Sequence, residues 1–338
     1  MPRVAILGTG LIGASLGMAL RQVGWTAVGW DPSPGALSVA LDRGALDVSR
    51  SSIQAAVESA EMVVLASPLG ATLATLADLQ TEALVTDVAG VKAPIIAARP
   101  PGVRLVAGHP MAGREHAGPT AATPALFRGA AWILCSDEAE TDDVEAVEAM
   151  VESVGAVPLL MTAAEHDRAV AKISHLPQVV ATALVNQVSN DADARELISG
   201  SFRDLTRVAA SEPGWWPEVL MANQSSVGVA IDELIEHLSD MRDLLGGDEA
   251  DLADRLASAR DLRRAMAPPA ILVGVVLQDK PGEIAAVGRA LEQSRVDVRD
   301  LQLRHALHGG GGVLSLSVRP GEAEPLKAAL TAEGFNLE

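Results

Sequence analysis

The chain has 338 residues, of which 49% are hydrophobic and 21% charged, and its formal net charge is −18. A chain this apolar can bury a large core, which excludes disorder as its main state. Its length predicts two or three domains. The acidity argues against a nucleic-acid binder, which needs a basic face for phosphates, and against attraction to an anionic membrane surface. Because the only cysteine is Cys135, no intrachain disulfide can form, and we expect a cytoplasmic protein with Cys135 as a buried structural thiol.

Residues 1–160 alternate short apolar runs with helix-like segments, which predicts a mostly parallel sheet covered by helices on both faces. The uncharged stretch from Val4 to Leu20 is interrupted by glycines, so it predicts a strand, a turn and a helix rather than a signal sequence or a membrane span. The predicted strands are Val4–Leu7, Ala27–Trp30, Met62–Ala66, Leu84–Thr86, Arg104–Ala107, Trp132–Leu134 and Val157–Leu159.

The strand signal disappears after Thr162 and helical periodicity replaces it, which predicts an all-helical domain over residues 161–267. Its first helix, expected over Ala163–Gln187, should be kinked or interrupted at Pro177. After Pro268–Pro269 the expected order of elements is βαββαβ, which predicts a small ferredoxin-like domain over residues 270–338.

A glycine-rich turn follows the first predicted strand and opens a helix. In this turn Gly8 permits the tight bend, Gly10 lets a pyrophosphate approach the backbone, and Gly13 permits close packing of helix on strand. Asp31 ends the next strand and can accept both ribose hydroxyls of an adenosine, which favours NAD over NADP. We therefore predict an α/β Rossmann domain, and the expected cofactor contacts are Gly8, Gly10, Leu11, Ile12, Gly13, Asp31, Ser67 and Pro68.

One histidine stands where a substrate would meet the cofactor. His109 follows the predicted strand Arg104–Ala107 after one residue, Gly108. Ligands of open parallel sheets bind beyond the carboxyl ends of the strands. A histidine can accept a hydroxyl proton while a hydride leaves the same carbon. The alternative is a loop histidine that only bonds the backbone. No metal site is predicted.

Two further clusters lie in the predicted helical domain. Arg168, Lys172 and His175 have the spacing of one helix face, which would suit an anionic substrate, although a solvated surface stripe has the same spacing. Farther along, Arg207 offers a bidentate fork for a carboxylate. The adjacent pair Trp215–Trp216 lines a pocket in one interpretation and fills core in the other.

Four segments, in this order, closely resemble those of the prephenate dehydrogenase family: GLIGASLG, GHPMAGREHAG, HDRAVAKISHLP and FRDLTRVAASEPGWW. The resemblance covers about residues 1–245, and the last 70 residues resemble an ACT domain. It implies NAD-dependent oxidative decarboxylation of prephenate to 4-hydroxyphenylpyruvate in tyrosine biosynthesis. By the same resemblance His109 bonds the ring hydroxyl and promotes hydride loss, Arg207 holds a substrate carboxylate, and His175 and Trp216 belong to the same pocket.

The sequence departs from the family pattern at two positions. Gly90 stands where the family usually has a serine that helps to orient the histidine, so a water or Ser67 would have to substitute for it. Gln178 stands where a second histidine is common, which weakens the transfer of any detail about recognition of the substrate side chain.

Three other functions remain open at the level of sequence. An arogenate or dual-specificity cyclohexadienyl dehydrogenase shares the fold and the motifs. A 3-hydroxyacid dehydrogenase would need a catalytic lysine in the helical domain, where Lys172 is the only one. A non-catalytic sensor of NAD and an amino acid is favoured only by Gly90.

Two partners are also expected. A thin helical layer carrying the apolar row Val219, Val227, Ile231, Leu234, Leu238 and Leu245 on one helix predicts a homodimer. The resemblance to an ACT domain implies that L-tyrosine, the pathway end product, binds this domain and inhibits the enzyme. The expected effector contacts are Asp279, Pro281 and Gly282.

Overall fold

The structure is a computed structural model that describes residues 1–113, 117–137, 139–266, 271–278, 280–305 and 311–337. By its internal contacts the chain divides into two units, Met1–Glu236 and His237–Glu338. Each unit is described by itself.

The described residues of the first unit form an eight-stranded sheet. Its strands are β1 (Arg3–Leu7), β2 (Thr26–Trp30), β3 (Val48–Ser49), β4 (Met62–Leu65), β5 (Leu84–Asp87), β6 (Leu105–Pro110), β7 (Ala131–Cys135) and β8 (Val157–Met161). The order across the sheet is β3-β2-β1-β4-β5-β6-β7-β8. Strands β1 to β6 run parallel, whereas β7 is antiparallel to β6 and parallel to β8. The predicted, mostly parallel sheet is confirmed, but β3 was missed because two residues show no periodicity.

Helices cover both faces of this sheet. Those between the strands are α1 (Leu11–Gln22), α2 (Pro34–Asp42), α3 (Ile53–Val57), α4 (Leu69–Asp78), α5 (Ala93–Ala97) and α6 (Thr141–Ser153). Side chains such as Leu20, Phe127 and Trp132 form the core on one face, and Val63 and Leu105 belong to the core on the other. Burial on both faces explains why the strands read as continuous apolar runs.

Beyond β8 the described chain is helical as far as Met266. The helices are α7 (Ala163–Val170), α8 (Leu176–Val188), α9 (Ala192–Glu196), α10 (Gly200–Thr206), α11 (Trp216–Ala222), α12 (Gln224–Leu244) and α13 (Glu249–Met266). The start of α7 is fixed by a capping box, in which Thr162 and Glu165 each bond the other's backbone N–H. The last part of α12 and all of α13 lie in the second unit.

A π-helical turn, Ala171–His175, separates α7 from α8, so the predicted interruption near Pro177 is confirmed. Proline lacks a backbone N–H and disturbs the turn before it. The wider turn also changes which residues share a face. His175 is buried, whereas Arg168 and Lys172 are exposed. The predicted cationic face of Arg168, Lys172 and His175 is therefore wrong.

The predicted apolar row over Glu218–Leu245 does not lie on one helix either. The chain breaks at Asn223 between α11 and α12. Val219 and Val227 are buried within the chain, whereas Leu238 is 58% exposed. The part of the row that a partner could cover is therefore shorter than the sequence indicates.

The second unit carries α14 (Glu283–Ser294) and α15 (Ala323–Ala332) together with a four-stranded sheet. Its strands are β9 (Ile271–Leu277), β10 (Asp300–His305), β11 (Gly312–Val318) and β12 (Asn336–Leu337). In the described part of this sheet the order is β10-β11-β9-β12 and every pair is antiparallel. The element order βαββαβ is the predicted one. Its core contains Val275, Leu316 and Leu326.

Two smaller expectations concern the whole chain. Cys135 is buried in β7, and burial raises the pKa of its thiol to about 12, so the structural thiol is confirmed. In the residues that the structure describes, every helix is too short or too polar to cross a membrane.

Candidate functional site

The turn between β1 and α1 leaves an open helix N-terminus. Gly8 has a φ of +105°, and a Cβ there would lie 2.4 Å from the carbonyl oxygen of Ala66. A Cβ on Gly13 would lie 2.0 Å from the carbonyl oxygen of Gly8, whereas one on Gly10 would meet no described atom within 4 Å. Only glycine fits at positions 8 and 13, whereas position 10 faces free space beside the N–H groups of the helix start.

The carboxylate of Asp31 lies against this turn. Its Oδ2 accepts hydrogen bonds from the backbone N–H of Thr9 (2.6 Å) and the hydroxyl of Thr9 (3.0 Å), and its Oδ1 accepts one from the N–H of Ser33 (2.8 Å). Leu11 and Ile12 are the first residues of α1. The open helix start and a fixed acid at the end of β2 fit the pyrophosphate and ribose of a dinucleotide.

The loop after β4 borders the same turn. Ser67 is half-buried, and its hydroxyl lies 2.9 Å from the hydroxyl of Thr72. Pro68 is exposed and immediately precedes α4. Since a Cβ on Gly8 would lie 3.0 Å from the backbone N of Ser67, the two loops that carry the predicted cofactor contacts are adjacent.

His109 lies near the end of β6 at the start of a chain of hydrogen bonds. Its Nδ1 lies 2.8 Å from Nε2 of His166, and Nδ1 of His166 lies 2.7 Å from Oδ1 of Asp167. Asp167 also accepts hydrogen bonds from the backbone N–H groups of Lys92 (2.8 Å) and Ala93 (2.9 Å) at the start of α5. The His109 side chain is thus connected to α7, which follows the last strand of the sheet, and to the loop after β5.

A buried ion pair fixes the backbone beside His109. Lys92 and Asp87 are both fully buried and bonded to each other. The Lys92 ammonium also donates to the carbonyl oxygen of Gly108 (2.6 Å), and the N–H of Gly108 donates to Asp87 (3.1 Å). Removing one partner of such a pair leaves an uncompensated buried charge, which typically costs about 3–5 kcal/mol. The pair therefore holds the residue before His109 in place.

Gly90 lies beside the outer edge of the His109 ring. A Cβ on Gly90 would lie 3.8 Å from both Cε1 and Nε2 of His109. A side chain at this position would face the ring atom that is turned away from His166, and glycine leaves that space open. Ser67, one of the two expected substitutes for the family's serine, has its hydroxyl beside that of Thr72.

The electrostatic surroundings keep His109 neutral. Burial, and after it the charges of Lys92, His166 and His175, hold the pKa of His109 well below its usual 6.5. Below that pKa both ring nitrogens would carry a proton, and above it the two nitrogens together carry only one. At neutral pH His109 is therefore unprotonated on one nitrogen and able to accept a proton.

His175 and Trp216 lie together on the other side of Asp167. The amide of Asn223 donates to the carbonyl oxygen of Asp167 (2.7 Å) and lies 3.2 Å from Nδ1 of His175. The rings of His175 and Trp216 meet edge to face at 6.2 Å, and Trp216 stacks on Trp215 at 4.3 Å. Burial lowers the pKa of His175. Since Trp215 is 46% exposed, the tryptophan pair does not fill core.

The expected substrate contact Arg207 and the departure from the family pattern at Gln178 both lie near or on α8. Arg207 is exposed and begins a short 3₁₀ turn, Arg207–Ala210, that packs against α8. Gln178 is buried on the same face of α8 as Ala181. Its side-chain oxygen has no hydrogen-bond partner among the residues that the structure describes. A buried acceptor without a partner is costly, so this oxygen is available to a donor group.

Comparison with known proteins identifies the family. The family model for the nucleotide-binding domain of prephenate dehydrogenase matches residues 16–160, and the one for its dimerization domain matches residues 162–259. The chain belongs to the prephenate dehydrogenase family. It is 29% identical to the prephenate dehydrogenase of Bacillus subtilis, over 93% of this chain and 91% of the relative. It is 31% identical to the cyclohexadienyl dehydrogenase of Zymomonas mobilis, over 78% of this chain and 95% of the relative.

Solved structures of this family have the same fold. Prephenate dehydrogenase from Aquifex aeolicus, in complex with hydroxyphenyl propionate and NAD+, superimposes with a TM-score of 0.74 at 29% identity, covering 79% of this chain and 99% of that one. An arogenate dehydrogenase from Synechocystis superimposes with a TM-score of 0.70 at 28% identity, covering 78% of this chain and all of that one.

Within this family fold, the structure links His109, His175 and Trp216 through residues that sequence reasoning did not select. Sequence reasoning assigned no role to five residues that fix the site: Asp87, Lys92, His166, Asp167 and Asn223. The adjacent pair His166–Asp167 was visible as a polar interruption of an apolar helix face. Which partner each would bond was not visible, since His109 is 57 residues from His166.

Proposed function

We propose that this chain catalyses the NAD-dependent oxidative decarboxylation of prephenate to 4-hydroxyphenylpyruvate. The observation that carries the proposal is His109, which is neutral, connected on one nitrogen and open on the side of Gly90, near the carboxyl end of β6. Family membership and the dinucleotide-binding turn of β1 and α1 support it. Bound NAD supplies a hydride acceptor.

The chain's own residues control the proton and the substrate charge. Nε2 of His109 accepts the proton of the ring hydroxyl as a hydride leaves the carbon that bears it, and that carbon becomes a carbonyl. The bond from the ring to its carboxylate then breaks. Its electron pair enters the ring, carbon dioxide leaves, and the carbonyl oxygen becomes the phenol oxygen after it takes back a proton. Gain of aromaticity drives this step, so the protein's main task is positioning and charge complementarity.

The remaining site residues are assigned to substrate binding. Arg207 holds a substrate carboxylate through its guanidinium fork. His175 and Trp216 line the same pocket. We propose three domains, over residues 1–160, 161–267 and 270–338. The two family models, over residues 16–160 and 162–259, support the first two.

A two-by-two assay tests the reaction. The full chain is mixed with prephenate or arogenate and with NAD or NADP, and absorbance of the reduced cofactor is followed. We expect reduction of NAD by prephenate. Turnover of arogenate alone would contradict the substrate, turnover with NADP alone would contradict the cofactor, and no turnover with either substrate would favour a non-catalytic sensor.

The geometry disfavours a 3-hydroxyacid dehydrogenase. That reaction would need Lys172 as a catalytic lysine in the helical region. The Lys172 ammonium lies 2.6 Å from the carboxylate of Glu233 and its side chain is 54% exposed. An exposed, solvated and paired ammonium is a poor proton donor for a reaction that excludes water.

Asp31 is expected to set the choice between the two nicotinamide cofactors. The change Asp31→Ser removes the carboxylate that would repel a 2′-phosphate, so the ratio of kcat/KM for NAD to that for NADP should fall by at least tenfold, about 1.4 kcal/mol. Steady-state kinetics with each cofactor measures this ratio. Asp42→Ser, at the exposed end of α2, serves as a control for loss of a surface charge. An unchanged ratio in Asp31→Ser would show that this carboxylate does not meet the ribose.

We infer a homodimer built through the helical region. The family model that matches this region is that of a dimerization domain. Exposed apolar side chains on α12, among them Val229 and Ile235, support this inference. Sedimentation at micromolar concentration should give twice the chain mass of 34.9 kDa. Ile235→Lys should weaken the dimer, whereas Leu160→Lys on the exposed strand β8 should not. A wild-type monomer contradicts the inference.

We also propose that residues 270–338, which lie within the second unit, form an ACT domain of ferredoxin-like fold that binds L-tyrosine. Its βαββαβ order supports this assignment. A cavity of about 400 Å³ lies at the start of α14, lined by Pro281, Gly282, Lys280 and Leu303. Of the expected effector contacts, Pro281 and Gly282 line this cavity, and Asp279 lies outside the described residues. Backbone N–H groups at the helix start suit the carboxylate of an amino acid.

Removal of the proposed ACT domain tests the regulatory role. A chain ending after Ala267 should keep turnover of prephenate and lose inhibition by tyrosine, because coupling between two sites needs both of them. Initial rates at increasing tyrosine, for the full and the shortened chain side by side, measure the effect. Equal inhibition of both chains would mean that tyrosine competes in the active site and that this domain is not its receptor.

A further inference from the structure

The side chain of Asp167 is an ionised acceptor at the end of the hydrogen-bond chain that starts at His109. Its Oδ1 receives the N–H of Lys92 and lies 2.7 Å from Nδ1 of His166, and its Oδ2 receives the N–H of Ala93. Burial opposes the charge, but the bonds from His166, Ala93 and Lys92 outweigh it and hold the pKa of Asp167 below its usual value. Asp167 is therefore a carboxylate at neutral pH.

The charge on Asp167 fixes the proton on Nδ1 of His166, and a neutral ring at His166 then fixes the others. An ionised carboxylate can only accept, so Nδ1 of His166 must carry a proton and donate it. In a neutral ring Nε2 of His166 is then an acceptor. The 2.8 Å contact with His109 needs a donor, which can only be Nδ1–H of His109. Nε2 of His109 is left with its lone pair, on the edge that Gly90 leaves open.

We propose that His166 and Asp167 are positioning residues that hold His109 in the tautomer with a free Nε2, which rests on the reaction proposed above. His166 is fully buried and Asp167 is 3% exposed, so both act through His109. Reversal of the tautomer would place a proton on the atom that has to accept one. In serine proteases, a comparable change at the acid behind the histidine lowers kcat by about 10⁴-fold.

The same arrangement stabilises the imidazolium that forms when His109 accepts its proton. The charged and titratable groups that face His109 are Lys92, His166 and His175, and Lys92 is already paired with Asp87. The negative charge that stabilises the imidazolium of His109 is therefore that of Asp167, which acts through the intervening ring of His166. Loss of this charge should lower the pKa of His109 further and make it a weaker base.

A pair of variants of equal size separates positioning from packing. His166→Gln keeps an acceptor oxygen at the reach of Nε2, whereas His166→Met fills a similar volume without a comparable acceptor. We expect His166→Met to lower kcat at least tenfold more than His166→Gln, with the KM for NAD within about threefold of wild type in both. His237→Gln, at an exposed histidine, is the control for the substitution. Equal losses in the Gln and Met variants would overturn the relay.

The pH profile gives a readout that packing alone would not move. The acid limb of kcat/KM for the wild type should lie below pH 6.5, because the group that must be unprotonated has a lowered pKa. Asp167→Asn should move this limb to still lower pH and reduce the plateau. A lower plateau with an unmoved limb would show that Asp167 only supports the backbone at the start of α5.

The tautomer itself can be read without any turnover. In the full chain labelled with ¹⁵N-histidine, the signal lost in His109→Asn identifies His109, and its two nitrogen shifts show which atom carries the proton. We expect a protonated Nδ1 in wild type and a shift of the proton toward Nε2 in His166→Met. A protonated Nε2 in the resting wild type overturns the inference even if prephenate is oxidised. The expected tautomer without oxidation of prephenate overturns the proposed reaction and leaves the relay standing.

Discussion

Replacement of His109 by asparagine is expected to lower kcat by about 10²- to 10⁴-fold, the usual contribution of general base catalysis. Asparagine keeps a side-chain amide near the position of Nδ1, so the contact with His166 can persist, but it has no group that accepts a proton at neutral pH. Binding of NAD should change little, because the glycine turn and Asp31 lie on β1, α1 and the end of β2. Stopped-flow or steady-state kinetics with prephenate measures the loss, and titration of NAD measures the binding.

The result is decisive only if the His109→Asn variant is folded. The new side chain would follow Gly108, which the buried pair of Lys92 and Asp87 holds through both its carbonyl oxygen and its N–H. We therefore expect the melting temperature to stay within a few degrees of wild type. A folded variant with turnover within threefold of wild type would remove His109 from the catalytic role.

Replacement of Arg207 by alanine is expected to raise the KM for prephenate by about 10- to 150-fold, which corresponds to about 1.5–3 kcal/mol of lost charged hydrogen bonding. The KM for NAD should stay nearly constant, since the residue lies on the turn against α8 and not on the dinucleotide loops. Steady-state kinetics with each substrate varied in turn separates the two constants.

Arg203 offers a matched control for this prediction. It is also an exposed arginine and lies one turn earlier, on α10. Arg203→Ala removes the same charge and should leave the KM for prephenate within about threefold of wild type, as is usual for exposed charges. Equal effects of Arg207→Ala on both substrates, or equal effects of the two arginine variants, would mean that Arg207 has no specific role in binding prephenate.

The site differs from the family pattern at Gly90. The family's serine would stand within reach of the outer edge of His109, where a Cβ at position 90 would lie 3.8 Å from Nε2. In this chain His109 is oriented from the opposite side, by His166 through Nδ1. The ring of His109 therefore keeps an orienting contact on Nδ1 when position 90 is a glycine.

Local sequence determined the parts of this protein whose cause is local. The alternation of apolar runs and helices predicted the strands of the large sheet, because each strand is buried on both faces and reads as apolar throughout. The glycines at positions 8 and 13 were assigned correctly from the motif, since a positive φ and a 2.0 Å approach depend on the turn itself. Position at a strand end was enough to select His109.

Tertiary structure alone decided which groups surround His109. They come from the loop after β5, from α7 and from the π-helical turn, and the hydrogen bonds that link His109 with His166 and Asp167 with Lys92 span 57 and 75 residues. A hydrogen bond forms or fails on differences in distance of a few tenths of an ångström. No periodicity in the sequence relates the segments that meet here. For the same reason the π-helical turn before Pro177 overturned the predicted cationic face, and only the packed chain showed that His175 is buried while Lys172 is exposed.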